Sequence, residues 1–167
     1  MMESKKKAFS LYDIVMIGLM AAVVFVVTMF LSIRIPTPTG TTMIKLANAF
    51  VLLCGLLLGP VRGGLAAGIG SMMADLIGGY MAWVPGTFAI KALTALLGGW
   101  LYHRMAGKGM NTITRVVLCG IPAEIVMVLG YFVYEVGMEV VMGSSMGAAA
   151  AAVVLGVPMN IVQGIAG

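Results

Sequence analysis

Charge is scarce in this sequence. Asp, Glu, Lys and Arg make up 10% of its 167 residues, while 61% are hydrophobic. An ordinary soluble domain carries about 25% charged residues. The shortage excludes a disordered tail protein, and it excludes a nucleic-acid surface as well. Ten Lys and Arg spread along the chain cannot coat one, even with a formal net charge of +4. Cysteine is scarcer still. Cys54 and Cys119 are single residues inside apolar runs, so they read as small buried hydrophobes and not as a disulfide framework or metal site. The lone His103, beside Arg104, reads as a solvated interface residue. No Gly-x-x-x-x-Gly-Lys-Ser/Thr loop is present, so the chain has no ATP site of its own. His-Glu-x-x-His, Gly-x-Ser-x-Gly and clusters of metal ligands are missing too, as is an internal repeat of the kind many secondary transporters carry.

What is there is apolar length. A membrane-spanning helix needs about 20 apolar residues, and six windows approach that length: 14–33, 43–58, 61–83, 86–105, 112–134 and 146–167. These predict an all-α integral membrane protein, a single domain over 1–167 built as a six-helix bundle. The first window is too long for a cleaved leader and lacks a small-residue cleavage site before a polar domain. The sixth runs to Gly167 without a polar tail, as expected of a sequence that stops inside a longer chain. Lys5, Lys6, Lys7, Arg62, Arg104, Lys108 and Arg115 fall on one side; Arg34, Lys45 and Lys91 fall on the other. That asymmetry predicts both termini in the cytoplasm. Tyr80 and Trp83 then mark the outer interface, Trp100 and Tyr102 the inner one.

Small residues recur four apart at Gly18/Ala22, Gly64/Gly68, Gly70/Ala74 and Ala95/Gly99, a spacing that lets two helix backbones approach closely. In the third and fourth windows internal packing accounts for the pattern. In the first, it serves either packing or a partner. Polar residues also fall on helical stripes, and lipid would penalise them unless they face one another or a cavity. The third window carries Ser71 and Asp75, the fourth Thr87, Lys91 and Thr94. The fifth carries Glu124, Tyr131 and Glu135, the sixth Asn160 and Gln163, and the second Lys45 and Asn48. Asp75 and Lys91 each lie eight residues from Trp83, at similar depth. They form either a structural ion pair or a polar pocket wall. Glu124 has no evident cationic partner at its depth. The loop from Arg34 to Thr42, with Pro36, Pro38 and Gly40, reads as a stiff extended segment, either a plain connector or a lid. Trp83-Val-Pro-Gly-Thr87 places an aromatic ring at the mouth.

Four runs carry a family resemblance: Ile44-Lys-Leu-Ala-Asn-Ala-Phe-Val51, Leu58-Gly-Pro-Val-Arg-Gly-Gly64, Gly70-Ser-Met-Met-Ala-Asp-Leu-Ile-Gly-Gly-Tyr80 and Trp83-Val-Pro-Gly-Thr-Phe-Ala-Ile-Lys-Ala92. In this order the sequence resembles the substrate-binding (S) components of energy-coupling factor (ECF) vitamin transporters. The nearest branch is the riboflavin-transporter-like group with predicted hydroxymethylpyrimidine and pyridoxine binders. The resemblance is strongest over 44–99, and Pro158, Asn160 and Gln163 agree with it. It implies six membrane helices and a vitamin pocket near the outer face. The pocket candidates are Lys91, Glu135, Tyr131 and Asn160, with Trp83, Asp75 and Asn48 beside them and the loop after Ile33 as a lid. It implies that Gly18 and Ala22 dock on a transmembrane coupling subunit of EcfT type; many members have Ala at both positions. Two cytoplasmic ATPase subunits complete such an importer. The S component topples in the bilayer to carry its closed pocket inward, so ATP is used by the partners and the chain itself holds no cofactor.

The expected function is therefore high-affinity vitamin binding within an ABC importer of a prokaryotic plasma membrane, without enzymatic activity. The preferred ligand is a small heteroaromatic vitamin or precursor of the pyridoxine or hydroxymethylpyrimidine class. The alternative is a self-contained secondary transporter or facilitator that uses Asp75, Lys91 and Glu124 as an ion relay. An intramembrane enzyme is the weakest reading, because no nucleophile–base or metal constellation is present.

Overall fold

The computed structural model describes residues 9–37, 40–45, 47–107, 109–154, 156–158 and 161. Helix α1 spans Leu11–Phe30. Ser10 opens it with a reciprocal cap. The Ser10 hydroxyl accepts from the Asp13 amide at 3.2 Å, and the Asp13 carboxylate accepts from the Ser10 amide at 3.0 Å. The other Asp13 oxygen lies 3.0 Å from Arg62 Nη1. Arg62, expected only as an orientation charge, therefore ties α1 to the start of α3, Pro60–Ile77.

The segment after α1, expected as a stiff extended loop over 34–42, is instead paired strand. It forms an antiparallel hairpin, β1 Ser32–Thr37 and β2 Gly40–Lys45, in a register pairing Ile33 with Ile44 and Ile35 with Thr42. Backbone pairing between two strands satisfies the amides and carbonyls that an extended segment would leave open. Ile33 and Met43 thus belong to strands, not to helices. Helix α2 is shorter than its window, Ala47–Leu58. Gly59, at φ +83°, and Pro60 at the helix start turn the chain directly into α3. This uses the left-handed freedom of Gly and the preset φ of Pro.

Helix α3 ends six residues before Trp83, which lies in a single 3-10 turn, Met81–Trp83, leading into α4, Val84–Arg104. Helix α5 is longer than expected, Thr112–Val141, and contains Pro122. It carries Glu135 inside the helix, not at its end. Helix α6 is described over Met146–Val154; Asn160 and Gln163 lie outside the described residues. Among the described residues, three spans are long and apolar enough to cross a membrane: Leu11–Phe30, Met81–Arg104 and Thr112–Val141.

The bundle centres on α3 and α4, which pack on each other. Helix α1 packs on α3, α2 packs on both, and α5 packs on α4 and carries α6. Val24, Val51, Cys54, Ala66, Ala67 and Ala95 make the buried core. Its side chains are small because the backbones almost touch. A Cβ at Gly55 would strike the Ala95 carbonyl, one at Gly70 would strike the Ala21 carbonyl, and one at Gly64 would sit 3.0 Å from the Ala92 carbonyl. With lipid on the outside as apolar as the core, such close van der Waals contact is what holds membrane helices together. The small stripes of α3 and α4 therefore serve internal packing, as expected. The α1 stripe does not. Gly18 and Ala22 are exposed, and nothing lies within 4 Å of a Cβ built at Gly18.

Gly55→Leu should lower stability by about 3 kcal/mol or more, since overpacking here meets backbone. Gly18→Leu should change it by less than about 0.5 kcal/mol. Thermal unfolding of both variants in detergent, with matched losses or the reverse order, would contradict this packing.

Candidate functional site

The polar stripes converge near the Trp83 end of the bundle. Lys91 of α4 is 4% exposed, yet it is charged and sits in a membrane-spanning helix. Burial of an ammonium is tolerated only with partners, and these come from other helices. Its Nζ donates to Asn48 Oδ1 of α2 at 2.5 Å and reaches Met127 Sδ of α5 at 3.2 Å. It also stands 5.3 Å from the centre of the Tyr131 ring, within the range where the negative face of an aromatic ring attracts a cation. Asn48 and Met127 are each 1% exposed.

Aromatic rings cover this group. Trp83 lies 6.4 Å from Tyr131 and 5.9 Å from Tyr134, tilted by 48° and 49°. These are the offset geometries that ring quadrupoles favour. The Tyr134 hydroxyl donates to the Ala82 carbonyl at 2.5 Å, which fixes α5 to the 3-10 turn. The Tyr134 ring lies over Gly86, where a Cβ would come within 2.6 Å of its carbons. Tyr131 is hydrogen-bonded to Thr87, so α4 and α5 are also joined by their polar stripes. Asp75, Glu124 and Glu135 act on Tyr131 through their charges. Asp75 is buried, at 3% exposure, beside the equally buried Ser71 on α3.

Of the residues expected in a pocket, Lys91, Asn48, Tyr131 and Trp83 are linked directly. Asp75 and Glu135 belong to the same electrostatic neighbourhood. Glu135 also approaches the chain beyond α6, its Oε2 lying 3.9 Å from a Cβ built at Gly156. Asn160 lies outside the described residues. Gly18 and Ala22 are on a separate exposed face of α1.

Two members of the group were not anticipated. Met127, expected only as filler, meets the ammonium, and Tyr134 completes the aromatic cover. Both follow from one helical face of α5, where 124, 127, 131 and 134 recur at steps of three and four. Glu124 needs a correction. A cation does stand at its depth, for Lys91 attracts it electrostatically. Taking Ala82 and Tyr134 as level, Lys91 lies about 13 Å below them and Glu124 about 15 Å, at 1.5 Å per residue. The expectation failed because α5 extends beyond Tyr134, which shifts the depth of everything on it.

Two hollows adjoin the site. One of about 530 Å³ runs between α4 and α5, lined by Gly86, Ile90, Gly130 and Tyr134 among others. Another of about 640 Å³ is bordered by Leu52 of α2, by Gly120, Glu124 and Val128 of α5, and by Ile161. Both fall within the size range of small-molecule sites. Among the described residues no cluster of His, Cys, Asp or Glu could hold a metal ion.

Residues 8–167 match the family described as ECF-type riboflavin transporter, S component. The fold agrees with that of a solved protein described as "Structure and mechanism of the S component of a bacterial ECF transporter". The TM-score is 0.64 and the identity 22%, over 92% of this chain and 87% of the other. An "Uncharacterized protein in gap 3'region" of Pyrococcus woesei is 36% identical over 59% of this chain and 63% of its own length. "UPF0397 protein" sequences of Lactiplantibacillus plantarum and Clostridium perfringens are 38% and 34% identical over 43% and 56% of this chain. Those matches cover 38% and 50% of the two relatives, so the chain spans about two-fifths to three-fifths of the curated relatives it matches. With the family matched over nearly the whole chain and the fold shared, the protein belongs to the ECF-type S components, a family of transporter subunits and not of enzymes.

Proposed function

We propose that this chain is the membrane-embedded vitamin-binding subunit of an ECF-type importer. Its ligand is a small flat heteroaromatic vitamin or precursor of the pyridoxine or hydroxymethylpyrimidine class. The observation that carries the reading is the buried Lys91 ammonium, held by Asn48 and Met127 beneath Trp83, Tyr131 and Tyr134. Rings stack on rings, and a fixed cation with neighbouring amide and hydroxyl groups orients ring nitrogens and hydroxyls. Lys91, Tyr131, Trp83, Asn48, Asp75 and Glu135 are the proposed ligand contacts, with Asn160 added from the family resemblance. The Trp83 end faces outward in this reading, with both termini in the cytoplasm of a prokaryotic cell. The uncovered Gly18/Ala22 face of α1 docks on an EcfT-type coupling subunit, and two ATPase subunits supply the energy. The chain itself needs no cofactor.

Mass spectrometry of the small molecule that co-purifies with the chain should find one vitamin of this class. Lys91→Ala should weaken its binding about 10- to 100-fold, the loss expected for a hydrogen bond to a charged donor, while the variant still folds. Unchanged affinity would reduce Lys91 to a structural partner within the bundle.

Gly18→Leu should leave binding intact and abolish uptake by the assembled importer. Normal uptake would remove α1 as the docking face. Flux into liposomes that contain this chain alone would instead support a self-contained facilitator using Asp75, Lys91 and Glu124.

A further inference from the structure

The end of the bundle opposite Trp83 carries charge that the chain does not neutralise. From 76 to 123 the sequence contains no Asp or Glu, yet His103, Arg104, Lys108 and Arg115 fall together around the turn from α4 to α5. Arg62, also at this end, is paired with Asp13. Among the described residues, the Arg104 and Arg115 guanidinium groups have neither a carboxylate partner nor a hydrogen bond. Each lies over an aromatic ring instead. The Arg115 guanidinium carbon is 3.8 Å from the centre of the Tyr102 ring, and that of Arg104 is 5.0 Å from the Trp100 ring. Arg115 is the more firmly held of the two. It bridges from α5 to α4, and its Nε is buried without a hydrogen-bond partner, which leaves its Nη groups as the donors that an incoming anion meets. It stands in the first turn of α5, which has no acidic residue. A helix N-terminus is itself positive, so it adds to the charge of the guanidinium and does not offset it. Around Arg115 the surface is apolar: Ile113, Val116, Val117 and Leu118 are all exposed.

We propose that the seam between Tyr102 and Arg115 binds the phosphate of an anionic phospholipid in the leaflet at this end of the bundle. The Tyr102 ring covers one face of the guanidinium and fixes its direction, so its N–H edge stays available. Parallel N–H donors match two phosphate oxygens. The exposed apolar residues of α5 then receive the acyl chains, which a soluble anion or an acidic peptide does not offer. Basic pockets between membrane helices take such headgroups, and each interfacial Lys or Arg adds to the attraction. Tyr and Trp rings suit this depth, with an apolar body in the bilayer and a polar edge at the headgroups. Trp100 lies about 200° around α4 from Tyr102, so Arg104 adds charge to this end without sharing the site. That the leaflet is the cytoplasmic one rests on the proposed orientation; the preference for a headgroup does not.

The test reconstitutes the full chain in nanodiscs of equal parts phosphatidylglycerol and phosphatidylcholine. The protein is then released into mild detergent, and the lipids it keeps are counted by native mass spectrometry. The wild-type chain should keep phosphatidylglycerol over phosphatidylcholine by about fivefold or more, the factor expected of one interfacial basic residue. Arg115→Gln should bring the two lipids within about twofold of each other, since an uncharged amide loses that factor. Tyr102→Phe keeps the ring and should keep the preference. Tyr102→Leu removes the ring and should lower it about two- to fivefold, the range for a cation–ring contact at an accessible site. Equal retention of the two lipids by the wild-type chain overturns the inference without needing any variant to fold. So does a preference that survives in Arg115→Gln, because net charge alone then accounts for it. Displacement of the lipid by excess inorganic phosphate would mark a soluble-anion site and overturn it as well. If the lipids are not distinguished but a vitamin binds tightly, the headgroup site fails and the vitamin-binding reading stands. If phosphatidylglycerol is preferred but no flat heteroaromatic vitamin binds, the headgroup site stands and the vitamin-binding reading fails.

Discussion

A lysine ammonium buried inside a membrane-spanning bundle organises this protein. The apolar surroundings cannot solvate it, so the chain must bring acceptors and polarisable groups to Lys91 from separate helices. Asn48 comes from α2, while Met127 and the Tyr131 ring come from α5. Each contact fixes the rotation of one helix about its axis, because a turn of one residue would carry the partner about 100° away. Once α2, α4 and α5 are oriented in this way, the other polar residues on their stripes also face inward. The lipid-facing sides are then left to Ile113, Val117, Ile121, Ile125 and Val133, all exposed.

That arrangement depends on how near the backbones come. Asn48 is short, and a lysine reaching it leaves little room for bulky residues between α2 and α4. The chain answers with Gly55 against Ala95 and Gly99, about two turns from Asn48 along α2. Helix α3 repeats the solution, with Gly64 against Ala92 and Gly68 against the Phe88 ring. Close packing and polar burial are thus two aspects of one constraint. The low charge content is consistent with it: each buried ionisable group requires several neighbours to accommodate it.

Much of this was legible in the sequence, and the exceptions have physical reasons. Apolar length revealed the helices, and the three-and-four rhythm revealed their inward faces, so Lys91, Asn48, Tyr131 and Trp83 could be singled out before their contacts were known. The hairpin was not, because Pro36, Pro38 and Gly40 read as breakers. The alternation of Ile33, Ile35 and later Thr42, Ile44 was the available strand signal. The Asp13–Arg62 tie joins residues 49 positions apart, and only the adjacency of α1 and α3 makes it visible. Met127 carried no chemical signal of its own, since a thioether looks like core filler until a cation is placed against it. Helix α5 was cut short at Tyr134 because Glu135 and Glu139 interrupt the apolar run, although Glu is a good helix former.

In the proposed assembly, the two faces of α1 connect the polar site to the docking surface. The buried face of α1 places Ala21 and Val24 against Gly70 of α3. The next residue of α3 is Ser71, whose hydroxyl is buried without a partner, and Asp75 follows one turn later. A single helix therefore separates the uncovered Gly18/Ala22 stripe from the polar core of the site. Helix α1 is also fastened to α3 at its other end by Asp13 and Arg62. Close-packed interfaces do not deform continuously. A partner pressing on α1 would thus act on α3 as a rigid lever, and α3 bears directly on α4, where Lys91 stands. Small residues serve both ends of this path. Inside, they let the helices touch; outside, they leave a shallow groove in which another helix can come as near as α3 already does.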